Sequence, residues 1–446
     1  MPYQGGSRLP GERSSRTAHL EVLQSPLVKK LVENFKKPNM PEVYRKPSWE
    51  PLPEGGKPLK YIFGVDGSYQ TVESDTSPYS KIGFVKTGLI KLDTRAISKL
   101  DKHNPHPLML QNIIQDSVVY HATAFPLRNV QVPGMSNYDA VREILYESIK
   151  DESSHMEGEI IETLKWLVYE KWSGKRKNLP EFQCPICHEN VATLPYDAET
   201  GTCGNCKDQI FITDMLGFHL DMGDNVAPEG IPSTYMIVHE TLLLFTAIRN
   251  FWEHQPNLIS QCLFVKDGPL SVRAQYSKLV EPIRRFLAYA RDRGCPIHIL
   301  GQEKSGTFYD HLKFIERDAP VNSMFIPKDR YIKEEIQYRS LDGAEYGKDT
   351  NYGAKIFIKV DDYSSMVLNV PVGEFTANPK PEDLIGLNDI IATIPQIISY
   401  RHEGGLIPIE LAHGIVSLST YPSARILKLF TDSYQNRCET GLPGKN

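Results

Sequence analysis

Short apolar runs alternate with amphipathic stretches along most of the chain, and the spacing predicts which elements they form. In "YIFGVDGSYQ", Tyr61, Ile62, Phe63 and Val65 suit a buried strand and Gly67 and Ser68 suit a turn after it, so Asp66 falls on the strand's last position. "SKIGFVKTGLIKLD" reads as a long strand or a hairpin, and "DSVVYHATAFPLRNVQV" as a further strand. From Asp139 to Trp172, apolar residues at helical spacing (Ile144, Leu145, Ile149, then Ile160, Ile161, Leu164, Leu167, Val168) predict one long helix, or two broken near "DESSHMEG". "TYMIVHETLLLFTAIRNFWEHQ" is a strongly apolar helix, and "LISQCLFVKDGPLS" is a second core strand ending on an acid. "LVEPIRRFLAYARDRG" is an amphipathic helix with a glycine stop, and "PIHILGQEKS" is again a strand. Strand, helix and strand in succession imply a crossover and a parallel pairing. "YGAKIFIKVDDYSSMVLNVPV" alternates like a hairpin near a sheet edge, and "LIPIELAHGIVSLSTYPSARILKLF" carries a helix.

The ends of the chain read differently. Residues 1–57 divide into a polar tail, a helix in "HLEVLQSPLVKKLVENFKK" and a Pro-rich connector that wraps or tethers. Residues 431–446 read as a disordered tail. Between them, residues 58–430 form the main domain, interrupted by a cysteine-bearing insertion at 178–213.

Composition narrows the class. The 446 residues are 40% hydrophobic and 24% charged, which fits a globular protein of two or three domains. No apolar run approaches the roughly 20 residues of a membrane span, and the polar N-terminus lacks the apolar core of a signal peptide, so no membrane contact and a cytoplasmic location are expected. The formal net charge of −5 means that any nucleic-acid contact must be local, supplied by a partner or mediated by metal ions.

The seven cysteines are an odd number and include two Cys-x-x-Cys pairs, which points to metal ligation rather than disulfides. Cys184, Cys187, Cys203 and Cys206 have zinc-ribbon spacing, and four thiolates around a Zn²⁺ leave no open position for catalysis. The alternative is a reduced, metal-free loop. Cys262 and Cys295 read as small buried apolar residues.

"FGVDGS" has a companion in "FVKDGPLS": an apolar strand, an acid, a glycine, then a small residue or proline. Asp66 and Asp267 therefore sit alike, where acids of an open α/β sheet face the ligand crevice. Glu240 lies among Ile237, Val238, Leu242, Leu243, Leu244 and Phe245 on the intervening helix. An early hairpin with one acid, a helix with a glutamate and a strand ending in aspartate follow the order of an RNase H-like fold. Carboxylates in that fold hold two Mg²⁺ or Mn²⁺ ions. Each acid also has a plainer reading. Asp66 suits an Asp-Gly turn that bonds nearby backbone, and Glu240 suits a helix-surface acid or an ion pair with Arg249 or a nearby lysine.

"FGVDGSYQ", "HETLLLFTAIRNFW", "LFVKDGPLS", "GQEKS" and "IPIELAHGIVSLS" together resemble the NurA nucleases, in short islands from about residue 58 to 430. The resemblance implies an α/β, RNase H-like mixed sheet flanked by helices. It also implies a metal-dependent DNA-end nuclease that works, as a homodimer, with a HerA-type hexameric ATPase in DNA repair or anti-phage defence. It makes Asp66, Glu240 and Asp267 ligands of catalytic Mn²⁺ or Mg²⁺, His413 a late active-site residue and Lys304 a substrate-binding lysine. The sequence departs from the family at Pro269, where serine is common, and at Ile407, where an aromatic is frequent; the cysteine insertion lies outside the family core. His413 otherwise reads as a core or capping histidine; in the functional reading it binds metal or shuttles a proton to the leaving oxygen. The chain has no Walker motif, so ATP-driven movement would come from a partner. A non-catalytic RNase H-like module that binds nucleic acid or docks a translocase is the competing reading, and an RNA-directed nuclease would share the same chemistry.

Overall fold

The computed structural model describes residues 22–35, 45–75, 77, 79–103, 118–151, 158–223, 229–418 and 422–440, the last seven of these as backbone only. The chain divides into a small unit (1–46 and 330–343) and a large one (47–329 and 344–446). The first boundary thus falls before residue 57, and a second segment far along the chain joins the N-terminal one. In the small unit Ser25 caps the helix Pro26–Asn34, its hydroxyl accepting from the Val28 N–H at 3.4 Å, and Pro26 occupies the first turn, where a missing N–H costs nothing. Leu27, Leu31, Val32 and Phe35 of this segment are exposed.

The large unit is built on strands β1 (Glu50–Pro51), β2 (Tyr61–Glu73), β3 (Lys81–Asp93) and β4 (Val118–Arg128). A small pair follows, β5 (Thr200–Thr202) and β6 (Gln209–Phe211), and then β7 (Cys262–Asp267), β8 (His298–Glu303), β9 (Ser323–Phe325), β10 (Gly353–Lys359) and β11 (Ser365–Pro371). Among the described residues nine strands form one mixed sheet in the order β1-β9-β10-β11-β8-β7-β2-β3-β4. β2, β3 and β4 are an antiparallel meander, and β7 and β8 add in parallel beside β2. Three antiparallel strands followed by two parallel ones beside the first is the RNase H-like arrangement.

Both faces of the sheet are covered, which is why β7 is apolar and buried from Cys262 to Val265 rather than alternating. Phe63 and Val65 join one core, with the helices Asn137–Lys150, Glu159–Val168, Ile231–His254 and Val280–Asp292. Ile62, Leu263, Val265 and Leu300 join the other, with the helices Leu387–Ile397 and Ile407–Val416. The helix Ile231–His254 is long and apolar enough to cross a membrane by length and composition, but it is the central helix of the first layer, and 78% of its most apolar window is buried inside the protein.

Two sequence expectations change. β2 does not stop at Asp66 but runs to Glu73, paired throughout with β3. The hairpin β10–β11 lies near a sheet edge as expected, with only the short β9 and the Pro-rich connector's own β1 outside it. The helix Ser423–Thr440 carries regular structure through 431–440, where a disordered tail was expected; residues 441–446 lie outside the described residues. The expected break at "DESSHMEG" does separate the helices Asn137–Lys150 and Glu159–Val168, and residues 152–157 lie outside the described residues.

Candidate active site

The pairing register places the first two acids. β2 and β7 run in parallel from Tyr61↔Cys262 to Val65↔Lys266 and then part. Asp66 and Asp267 are the next residues, one on each strand, at the mouth of the split. β2 continues with β3 alone (Asp66↔Gly88), while Asp267 pairs with Gln302 of β8. A carboxylate in the middle of a long strand therefore sits in a crevice because its second neighbour has left. Gly67 serves close approach rather than a turn. A Cβ there would stand 2.6 Å from both Glu240 Oε1 and Met236 Cγ, so the glycine lets the helix Ile231–His254 come down onto the strand and deliver Glu240.

The three carboxylates line one cleft of about 400 Å³, together with Lys266, Ser271 and Arg273. Asp66 is buried; its Oδ1 accepts from the Gly67 N–H at 2.7 Å and its Oδ2 from His413 Nδ1 at 2.9 Å. Burial and the neighbouring Asp267 push Asp66 up to about 6, against the pull of its Gly67 bond and of His413. Glu240 is buried and donates nothing; its Oε2 accepts from Lys266 Nζ at 2.7 Å. Burial pushes Glu240 up to about 7, with Lys266 opposing and Asp66 and Asp267 adding repulsion. Burial alone would lower Lys266, but the Glu240 carboxylate outweighs it and keeps the ammonium charged. Lys266 Nζ also donates to the Asp267 carbonyl at 2.9 Å. On the open side Lys304 Nζ lies 2.9 Å from Asp267 Oδ1.

All five residues expected at the site are thus brought together: Asp66, Glu240 and Asp267 line the cleft, and His413 and Lys304 each contact one of its aspartates. His413 is neither a core nor a capping residue; its side chain is 56% exposed on the helix Ile407–Val416. Glu240 does have the lysine partner that its plainer reading required, yet it is inside the cleft and not on the helix surface. Lys266 and Arg273 were missed. The signal for Lys266 was a lysine inside an otherwise apolar core strand, "LFVKD".

The donor types are those hard divalent cations take: three carboxylates share one concave site, two of them are held above their ordinary range, and two lysines, Lys266 and Lys304, offset part of their charge. Among the described residues the four cysteines, and not these carboxylates, stand grouped closely enough to hold an ion. In the insertion, Sγ atoms of Cys184 and Cys206, and of Cys187 and Cys203, are 3.8 Å apart, and all four lie within 4.8 Å of one another. A tetrahedral Zn–S bond of about 2.3 Å gives an S–S edge of about 3.8 Å. The two loops are alike: the N–H of Ile186 and of Asn205 each donates to the sulfur two residues back at 3.4 Å, and His188 and Lys207 each take positive φ to close the loop. The insertion does not stand apart from the main domain. Phe182, Leu194 and Ile210 belong to the core that also holds Leu164 and Phe286, and Lys165 pairs with Asp197 and Glu199, each at 3.2 Å.

No family model and no curated protein matches the chain. Solved structures similar to it include, each at 12% identity, a crystal structure of NurA (96% of this chain, 99% of that one, TM-score 0.29), NurA with manganese (96% and 98%, 0.26) and NurA bound to dAMP and manganese (95% and 98%, 0.24). They are structures of the family that the short motifs resemble. A likeness at these TM-scores assigns no residue and no activity to this chain.

Proposed function

We propose that the protein is a metal-dependent nuclease that hydrolyses phosphodiester bonds of DNA. The observation that carries this reading is the meeting of Asp66, Glu240 and Asp267, from a hairpin, a helix and a parallel strand, in one cleft where two of them are held above their ordinary range. Bound Mn²⁺ or Mg²⁺ ions would supply an activated water and a stabiliser for the leaving oxygen. Asp66, Asp267 and Glu240 Oε1 are the groups to hold them, since Oε2 of Glu240 is bonded to Lys266. Lys266 holds the glutamate in place. Lys304, half-exposed beside Asp267, is placed to meet a phosphate oxygen. His413 is held through Nδ1 by Asp66; as an imidazolium it would give the proton on its other ring nitrogen to the leaving oxygen and take one back from water.

The four cysteines form a structural Zn²⁺ site in this reading. The partner is a HerA-like hexameric ATPase, because the chain has no motor of its own, and the role is end processing in DNA repair or anti-phage defence. A homodimer would enclose one duplex between two sites; the exposed Leu27, Leu31, Val32 and Phe35 support an N-terminal docking or exchange element. The test is incubation of the full chain, alone and with a genomically adjacent ATPase, with linear duplex, single-stranded and circular DNA in Mn²⁺, Mg²⁺ or EDTA. Cleavage of linear DNA in Mn²⁺ or Mg²⁺ and none in EDTA is expected; cleavage that persists in EDTA would contradict the reading.

A further inference from the structure

A second cavity, of about 490 Å³, lies where the base of the cysteine insertion meets the N-terminal half of the helix Val280–Asp292 and the loop at 348–349. Its lining carries Lys177, Lys278, Arg284, Arg285 and Lys348 against three carboxylates, an excess of positive charge in a chain whose net charge is −5. The pairings offset only part of that excess: Arg285 also pairs with Glu281, and Lys348 with Glu345 at 3.3 Å. Glu170 is shared, with Lys177 and Arg285 both 2.7 Å from the same oxygen. Among the described residues Lys278 has only a backbone partner, the Glu181 carbonyl at 2.9 Å. Arg284 is buried and, among the described residues, touches no carboxylate: one nitrogen donates to the carbonyls of Gly347, Lys348 and Asn351, and its Nε has no partner there. A buried guanidinium satisfied by neutral oxygens keeps its full charge, and that charge is felt in the adjoining cavity.

Neighbouring stretches of one segment line the cavity and the active-site cleft: Ser271 and Arg273 line the cleft, and Ser277 and Lys278 line the cavity. The segment is locked against the loop that carries Lys348, through the Ser271↔Asn351 bridge and the Val272 N–H to the Thr350 carbonyl at 2.9 Å. From Arg273 to Ser277 is four residues, so their Cα atoms are no more than about 14 Å apart.

We propose that this cavity is a phosphate-backbone subsite for nucleic acid, receiving the substrate strand beyond the bond held at Asp66 and Asp267. Arg273, Lys278 and Lys348 are all exposed along the route and are the cations that reach the strand. Arg284 positions the loop that presents Lys348 and does not itself reach the strand. The subsite rests on the nuclease reading and supplies what an acidic chain otherwise lacks, a local basic track leading away from a cleft of carboxylates.

The test compares the full chain with the variant Lys278→Ala/Lys348→Ala, whose side chains are on the surface and whose loss leaves the fold intact. Binding of a short fluorescent blunt duplex is measured in EDTA between about 50 and 200 mM salt. The double variant is expected to bind about 10-fold more weakly, with the slope of log affinity against log salt reduced by about 2, and Lys278→Arg/Lys348→Arg is expected to restore both. Hydrolysis of bis(p-nitrophenyl) phosphate, too small to span cleft and cavity, is expected to stay at the wild-type rate. Unchanged affinity and slope in the double alanine variant would overturn the subsite, as would an equal loss of small-ester hydrolysis. If the wild type hydrolyses neither DNA nor the ester, the nuclease reading fails, while the binding comparison still decides the subsite.

Discussion

His413 Nδ1 donates to Asp66 Oδ2 at 2.9 Å across 347 residues of sequence. The contact joins the first strand of the RNase H-like sheet to one of the last helices, and the approach is close enough that a Cβ on Gly64 would meet the Pro408 carbonyl at 2.6 Å. His413 pulls Asp66 toward ionisation. In metal-free His413→Ala the Asp66 carboxyl therefore ionises at higher pH, which an NMR titration in EDTA reads. A rate loss of about 100-fold or more is expected at neutral pH with Mn²⁺, as for removal of a proton donor. An unmoved Asp66 titration together with a rate loss smaller than threefold would leave His413 without the role given to it.

The raised carboxyls make the metal-free protein pH-sensitive. Asp66 moves from an ordinary 3.8 to about 6 and Glu240 from 4.5 to about 7, so the folded state binds these protons more tightly than the unfolded chain does. Their contribution is fully favourable below about pH 4 and is lost as pH rises through 6 to 7, by up to about 3 kcal/mol for Asp66 alone. Thermal unfolding in EDTA should fall across that window, and Asp66→Asn should flatten the fall. Mn²⁺ should restore stability at pH 8 in the wild type. A metal-free Tm that does not fall between pH 4 and 7 would contradict the shifts.

The Lys266–Glu240 pair is buried on both sides. Lys266→Met leaves an uncompensated carboxylate and is expected to destabilise the metal-free protein by about 3–5 kcal/mol, most strongly above pH 7. Adding Glu240→Gln should recover most of that loss without restoring cleavage. Denaturant unfolding of the two variants checks both statements.

Because Cys184 and Cys203 lie in the same core as Leu164 and Phe286, loss of the cysteine site should not be a local event. Cys184→Ser or Cys203→Ser is expected to lower bound zinc from one per chain toward zero and to lower the Tm of the whole large unit in one transition. Two separated transitions, with the main one unmoved, would show an independent insertion instead.

The sequence carried the parts whose physics is local. The two apolar strands carrying "DG", the apolar helix around Glu240 and the two cysteine knuckles were all legible from spacing. Two features were not. Asp66 was placed at a strand end because Gly67-Ser68 reads as a turn; only the approach of Met236 and Glu240 explains a glycine inside a continuing strand. The insertion was legible as a break in the strand–helix pattern within the main domain, whereas its apolar residues Phe182, Leu194 and Ile210 are too scattered to announce that they share the main core. Likewise, Lys278 and Lys348 meet only through the pairing of their loops, which no local pattern encodes.

The most direct measurement is Mn²⁺-dependent cleavage of end-labelled linear DNA by the wild type, Asp66→Asn and Asp267→Asn, each first shown to be folded by circular dichroism. Outer-shell partners of a metal typically cost 10–100-fold when removed, so a direct ligand should cost at least about 100-fold. The wild type is expected to cleave with Mn²⁺ and to stop with EDTA, and both variants are expected to fall by at least that factor while keeping their fold. Cleavage by either variant at close to the wild-type rate would contradict the assignment of this cleft as the hydrolytic site.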